Sequence, residues 1–229
     1  MEYILCIETA TTVCSVALFG DKKLITLLET EQENAHSKTL TVFMETILKE
    51  NNLKPKEINY IAVSNGPGSY TGLRIGVSAA KGFCFGTMAP LILIPTTEII
   101  AQSCIEQVAI KENDAICPMI DARRMEVYHA IYNSKNELQN HIEPHIITED
   151  SYADLLAENT IHFCGNGAFK LKNKITHPNA KIHTDIQLTA KFMVIPALKR
   201  IKIKEFANLA YDEPLYLKEF QAKQSKPYF

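Results

Sequence analysis

Two carboxylates in this sequence stand where chemistry is often done. Glu8 closes the apolar run Ile4-Leu5-Cys6-Ile7, and Asp121 closes a second apolar run over residues 116–120. Each reads as the end of a strand ahead of a hairpin. Facing one another across a cleft, such a pair would hold a divalent cation or act as a base. Phosphate chemistry there also needs glycines in the hairpins, so that the phosphates can approach the backbone. The turns instead read Thr9-Ala10-Thr11-Thr12 and Ala122-Arg123-Arg124. Glu8, Thr9, Asp121 and Arg123 therefore mark a degenerate cleft, and no catalytic residue is assigned.

The other motifs are weighed in the same way. Asn65-Gly66-Pro67-Gly68-Ser69-Tyr70-Thr71-Gly72-Leu73-Arg74-Ile75-Gly76 joins a strand to a helix, and free N–H groups at such a helix start suit an anion. It lacks the GxxxxGK[ST] spacing of a phosphate loop, so the plainer reading is a tight turn that aims the helix. His36 has Leu40 one turn on, and Pro144 lies between His141 and His145, so neither place offers paired imidazoles for a metal. No G-x-S-x-G or Cys/His arrangement is present. No metal or cofactor is assigned.

The elements that position these residues follow from periodicity. Strands are expected at residues 4–8, 13–19, 24–30 and 58–64, and helices at 36–51, 69–86 and from Thr96 or Thr97 to about Val108. Asn34 is the expected N-cap of the first helix. Leu40, Phe43, Met44, Ile47 and Leu48 form one stripe of that helix. In the helix at 69–86, Gly72, Gly76, Ala80 and Cys84 recur at i, i+4, widened by Ala79, Gly82 and Gly86. A glycine inside a helix costs up to about 1 kcal/mol, so four of them require a close-approaching backbone, within the subunit or across an interface. The apolar surface exceeds one core-facing stripe, which favours an interface. The residues expected there are Leu40, Phe43, Met44, Ile47, Gly72, Arg74, Ile75, Gly76, Ala79, Ala80 and Phe83.

The second half repeats the plan of the first. Glu8 and Asp121 match at an offset of 113, which places Cys14, Val16 and Leu18 on Val127, His129 and Ile131. The strand at 58–64 runs into Gly66-Pro67-Gly68, as residues 161–164 run into Gly165-Asn166-Gly167. A duplicated α/β architecture follows, with lobes at 1–110 and 111–217 and a polar basic tail at 218–229. Helices are expected at 149–158 and 188–206, the latter kinked at Pro196 or starting near it.

Composition excludes several classes. No apolar stretch approaches a membrane span, and the N-terminal residues lack a basic signal-peptide region, so a cytoplasmic protein is expected. The six cysteines form no CxxC pair and read as small core hydrophobes. A net charge of −2 argues against a chain that grips nucleic acid unaided. Residues 166–229 nevertheless carry 12 Lys/Arg against 5 Asp/Glu, enough for a basic patch that contributes to an RNA- or partner-binding surface.

The run Gly66-Pro67-Gly68-Ser69-Tyr70-Thr71-Gly72-Leu73-Arg74-Ile75-Gly76 resembles the signature of the TsaB (YeaZ) family. Ile7-Glu8-Thr9-Ala10, the segment from Ile120-Asp121-Ala122-Arg123-Arg124 to Tyr128, and Glu213-Pro214-Leu215-Tyr216-Leu217 follow in that family's order. Many relatives have Asp where Glu8 stands. The resemblance implies the actin-like, Hsp70-like, sugar-kinase (ASKHA) fold in two lobes, the last long helix returning towards the first lobe. It implies a non-catalytic partner of TsaD, the subunit that forms N6-threonylcarbamoyladenosine in tRNA, with TsaE in the larger assembly. It implies that tRNA is engaged only through the complex, and that the chain alone pairs with itself as a dimer. The alternatives are an active nucleotide-dependent kinase of this fold, which needs hairpin glycines, and a glycoprotease-like metallopeptidase, which needs the second histidine that Leu40 replaces.

Overall fold

The computed structural model describes residues 1–31 and 36–218. The N-cap expected at Asn34 and the tail beyond Lys218 lie outside them. Short apolar runs, buried on both faces in the first two strands, build β1 (Tyr3–Glu8), β2 (Cys14–Gly20) and β3 (Lys23–Thr30) into an antiparallel meander. Helix α1 (His36–Glu50) leads to β4 (Tyr60–Gly66), and α2 (Tyr70–Thr87) leads to β5 (Leu91–Pro95). Both strands run parallel to β1, giving the order β3-β2-β1-β4-β5. Parallel pairing requires such helical crossovers, whereas the meander needs only hairpins.

After α3 (Thr96–Gln107) the plan recurs. The second half contains β6 (Ala115–Asp121), β7 (Glu126–His129), β8 (Tyr132–Asn133), β9 (Glu143–Ile146), α4 (Ala153–Glu158), β10 (Ile161–Cys164) and β11 (Ala180–His183). Its sheet has the order β11-β10-β6-β7-β9, with β8 also on β6, and β10 and β11 run parallel to β6. This is the duplicated actin-like fold in two lobes. Helix α4 is shorter than expected, because Ser151 Oγ accepts from Thr148 N–H and Tyr152 takes a left-handed conformation at φ 65°.

Three apolar clusters stack through the molecule. The outer face of the first sheet packs on α1 and α2 through Leu5, Ile7, Val16, Leu40, Ile47 and Val77. Its inner face shares one core with the second sheet and with α3, through Cys6, Ala62, Ile100, Ile116 and Ile120. Cys117, Met119 and Phe163 pack under α4 on the far side. The last helix, α5 (Val194–Ile203), joins the shared core with Val194 and Ala197. It follows a 3-10 turn at Ala190–Phe192, and Pro196 lies in its first turn, where a missing N–H costs nothing. The break therefore falls before the proline, and there is no kinked long helix.

From α5 the chain returns to the first lobe as a strap. Ala207 N–H bonds Leu91 O at 2.8 Å, Leu215 N–H bonds Asn65 O at 2.6 Å, and the Tyr216 ring lies 4.9 Å from that of Tyr70. Lys218 then reaches Glu126 of the second lobe. All six cysteines are buried and free, which fits small core hydrophobes.

Candidate functional site

The turn after β1 docks on the start of α2, and the glycines make room for it. Thr9 Oγ1 donates to Gly72 O at 2.8 Å, and Ser69 N–H donates to Ala10 O at 2.7 Å. Ser69 caps the helix, its Oγ accepting from Gly72 N–H at 3.2 Å. A Cβ at Gly72 would lie 2.1 Å from Thr9 O, and one at Gly76 would lie 2.2 Å from Thr9 Oγ1. Two of the donors at this helix start, Ser69 N–H and Gly72 N–H, are thus already bonded within the chain. Arg74 is engaged too: its Nε donates to Tyr216 Oη at 3.3 Å, and its guanidinium lies over the Tyr70 ring at 4.5 Å.

Gly72 and Gly76 therefore form a seat for Thr9, and Ala80 on the same stripe is buried in the core of the lobe. Gly76→Leu should cost the folded chain about 1–3 kcal/mol through overpacking. A urea titration reads the loss as a lower midpoint at unchanged slope.

Glu8 and Asp121 do not face each other. Strand alternation puts Glu8 on the inner face with Ile4 and Cys6, and Asp121 on the outer face with Cys117 and Met119. The registers differ as well: Glu8 pairs with Ser15, but Asp121 pairs with Val127, so the second turn is one residue shorter and the offset of 113 slips to 112 beyond it. Val16 thus corresponds to Tyr128, not to His129. A one-residue slip exchanges the faces of a strand. Asp121 is held by the ammonium of buried Lys170, which also donates to Glu126 O at 2.7 Å. Arg123 is exposed, with its backbone N–H on Asp121 Oδ1 at 2.7 Å. Among the described residues no three His, Cys, Asp or Glu side chains group for a metal. His145 bonds Ser151 Oγ at 3.0 Å and rests on His129, while His141 is exposed.

Glu8 is fully buried. Its Oε1 accepts from Ala10 N–H at 2.5 Å, and Oε2 has no partner. Burial pushes its carboxyl up to about 7, against opposing hydrogen bonds from Ala10, Ser64 and Thr9. The folded state then holds this proton more tightly than the unfolded chain. Stability contributed by the group is present below the unfolded value near 4.5 and is lost as pH rises through 7. Glu8→Gln should remove about 2–3 kcal/mol of pH dependence between about pH 5 and 8, read from urea midpoints across that range.

The other side of α2 is open. At about 100° per residue, Gly82 and Gly86 lie about 80° around the helix from Gly72 and Gly76. A Cβ at either would meet nothing within 4 Å among the described residues beyond the helix's own nearby backbone. Phe85 is 80% exposed and Met88, which ends the helix in a left-handed conformation, is 85% exposed. Ile75, Ala79 and Phe83 are half-buried on this flank, as is Phe43 of α1, whose neighbour Val42 is exposed. Of the residues expected at an interface, Leu40, Met44, Ile47, Gly72, Gly76 and Ala80 are buried within the lobe, where helix periodicity turns them onto the first sheet. Arg74, Ile75, Ala79, Phe83 and Phe43 remain accessible. Gly82, Gly86, Phe85 and Met88 complete the face. Their signal in the sequence was a second glycine stripe on one helix, which reads there as a widening of the first.

The fold and its turns define a class: two actin-like lobes whose turns at Thr9 and Arg123 are closed by the chain's own side chains. Residues 30–222 match the family model described as "TsaD: tRNA N6-adenosine threonylcarbamoyltransferase". The chain belongs to this family, on its TsaB (YeaZ) side. It is 37% identical over 131 residues to "tRNA threonylcarbamoyladenosine biosynthesis protein TsaB" of Escherichia coli K12, covering 56% of this chain and 54% of the relative. The protein of that name from Bacillus subtilis strain 168 is 30% identical over 141 residues, covering 62% and 59%. The chain thus spans little more than half the length of these curated relatives. The structure titled "YeaZ from Pseudomonas aeruginosa" superposes with a TM-score of 0.80 over 95% of this chain and 100% of that one, at 21% identity, and shows the shared fold.

Proposed function

We propose that this chain is the non-catalytic partner subunit of a tRNA N6-adenosine threonylcarbamoyltransferase, the TsaD subunit, and docks on it through the open side of α2 with the flank of α1. The observation that carries this reading is the pair Gly82 and Gly86, each exposed, with no neighbouring atom of the described residues within 4 Å of its missing Cβ. Glycine in an exposed helix interior costs about 1 kcal/mol without return inside the subunit. A second backbone that approaches closely supplies the return, and Phe85 and Met88 beside it are the apolar anchors such contacts use.

The enzymatic readings lack support of this kind. The turn glycines that nucleotide chemistry requires are replaced by Thr9-Ala10 and Ala122-Arg123-Arg124, and Lys170 occupies the carboxylate at Asp121. In this reading TsaE joins the larger assembly, tRNA is modified by the complex, and the chain needs no cofactor of its own. The printed names of the relatives place them in tRNA threonylcarbamoyladenosine biosynthesis, and no described helix is long and apolar enough to cross a membrane. A cytoplasmic setting follows from the reading. Without TsaD the same apolar face pairs with its copy across a two-fold axis.

Co-purification with TsaD, followed by a tRNA modification assay with and without this chain, tests the proposal. Dependence of the modification on this chain is expected. Full activity of TsaD alone, or turnover of ATP by this chain alone, would overturn it.

A further inference from the structure

The hairpin between β6 and β7 carries two arginines at its tip in an unfavourable backbone. Arg123 and Arg124 take left-handed conformations at φ 70° and 48°, and both side chains are exposed. That region crowds the Cβ of a non-glycine residue, and it suits Asn and Gly better than Arg. Nothing within the described chain accounts for the choice, since neither guanidinium has an ion-pair or hydrogen-bond partner among the described residues.

The neighbouring carboxylates, by contrast, are matched. Asp121 is paired with Lys170, Glu126 with Lys218, and Glu149 with Lys174 at 3.7 Å. Arg123 and Arg124 stay unpaired among the described residues, so the exposed tip of this hairpin carries two positive charges without an ion-pair partner there. The Lys170 contacts seat the 3-10 turn Ala168–Leu171 against the hairpin base, and that turn presents Phe169, 51% exposed. Met125 stands at the tip beside the arginines, 41% exposed.

We infer that this end of the second lobe is an RNA-contacting surface: Arg123 and Arg124 engage adjacent backbone phosphates, and Phe169 stacks on an unpaired base. Planar guanidinium forks match phosphate oxygens, and an exposed aromatic ring on the turn that Lys170 fastens to the hairpin base fits a base better than the carboxylates of an acidic protein face. The inference rests on the proposed part in tRNA modification for its choice of RNA. It is separate from the α2 face, because it uses the opposite lobe.

The test is titration of the full chain with an unmodified tRNA transcript between about 50 and 200 mM salt. Binding is expected to be weak and steeply salt-dependent. The double variant Arg123→Asn/Arg124→Gly should lose at least about tenfold in affinity and flatten the salt slope by about 1.4–1.8, the share of two phosphates. Its melting temperature should rise by about 2–4 °C, because the new residues suit the turn. Phe169→Ala should weaken binding by about five- to a hundredfold with the slope unchanged. Unchanged affinity and slope in the double variant would overturn the inference. So would an equal loss of binding to poly-glutamate, which would assign the surface to an acidic protein. Retained RNA effects with no capture of TsaD would leave this surface standing and remove the partner reading alone.

Discussion

Gly82→Leu is expected to lose TsaD binding by about thirtyfold or more while the isolated chain folds at least as well as before. The two effects separate because the position has different neighbours in the two states. Alone, a side chain there meets open solvent, and leucine should stabilise the helix by up to about 1 kcal/mol relative to glycine. In the docked state the same side chain would stand between two closely packed backbones and force them apart. Central, well-packed positions of an interface carry 2 kcal/mol or more apiece, which sets the size of the expected loss. Phe85→Ser should act in the same direction by removing an anchor that is 80% exposed. Calorimetric titration against TsaD, sedimentation of the chain alone and a melting curve form the test. A Gly82→Leu chain that binds TsaD normally, or that melts well below the parent, would show that the face is wrongly placed. Gly76→Leu gives the opposite signature, since its cost falls on the fold.

Arg200→Ala should cost the fold about 3–5 kcal/mol. Arg200 of α5 reaches Glu98 of α3 by two bonds, Nη1 to Oε1 at 3.1 Å and Nη2 to Oε2 at 2.8 Å, between two largely buried side chains. Truncation leaves the Glu98 carboxylate in the core shared by both lobes, without its counter-charge. Replacing both partners with leucine should recover most of the loss, because an apolar pair needs no solvation. Guanidinium unfolding of the single and double variants distinguishes the cases. If Arg200→Ala is neutral, the pair does not hold α5 to α3, and the strap from α5 back to β5 and α2 owes its placement to other contacts. A double variant as damaged as the single one would assign the loss to packing by the long arginine stem.

Local chemistry alone determined much of this protein. Short apolar runs placed β1 and β2, and helix periodicity placed α1 and α2, to within a residue or two, because the strands are buried on both faces and each helix buries one stripe. The duplication was legible because the glycine turns at 66–68 and 165–167 must recur wherever the same strand-to-turn geometry recurs. Burial of the cysteines followed from their apolar neighbours. The strands Leu91–Pro95, Glu143–Ile146 and Ala180–His183 went unread, since short segments owe their pairing to partners distant in sequence.

What only the tertiary structure decided is which neighbour each residue meets. One helix carries two glycine stripes, and periodicity shows both without telling which is filled. Thr9, more than sixty positions away, fills one, and nothing among the described residues fills the other. The carboxylates at 8 and 121 likewise match in sequence but part in space. Strand alternation puts Glu8 on the face of Ile4 and Cys6 and Asp121 on the face of Cys117 and Met119, and those two faces turn to different cores. Spacing along the chain carries the period of each element. Its phase against the rest of the molecule is set only when the elements pack.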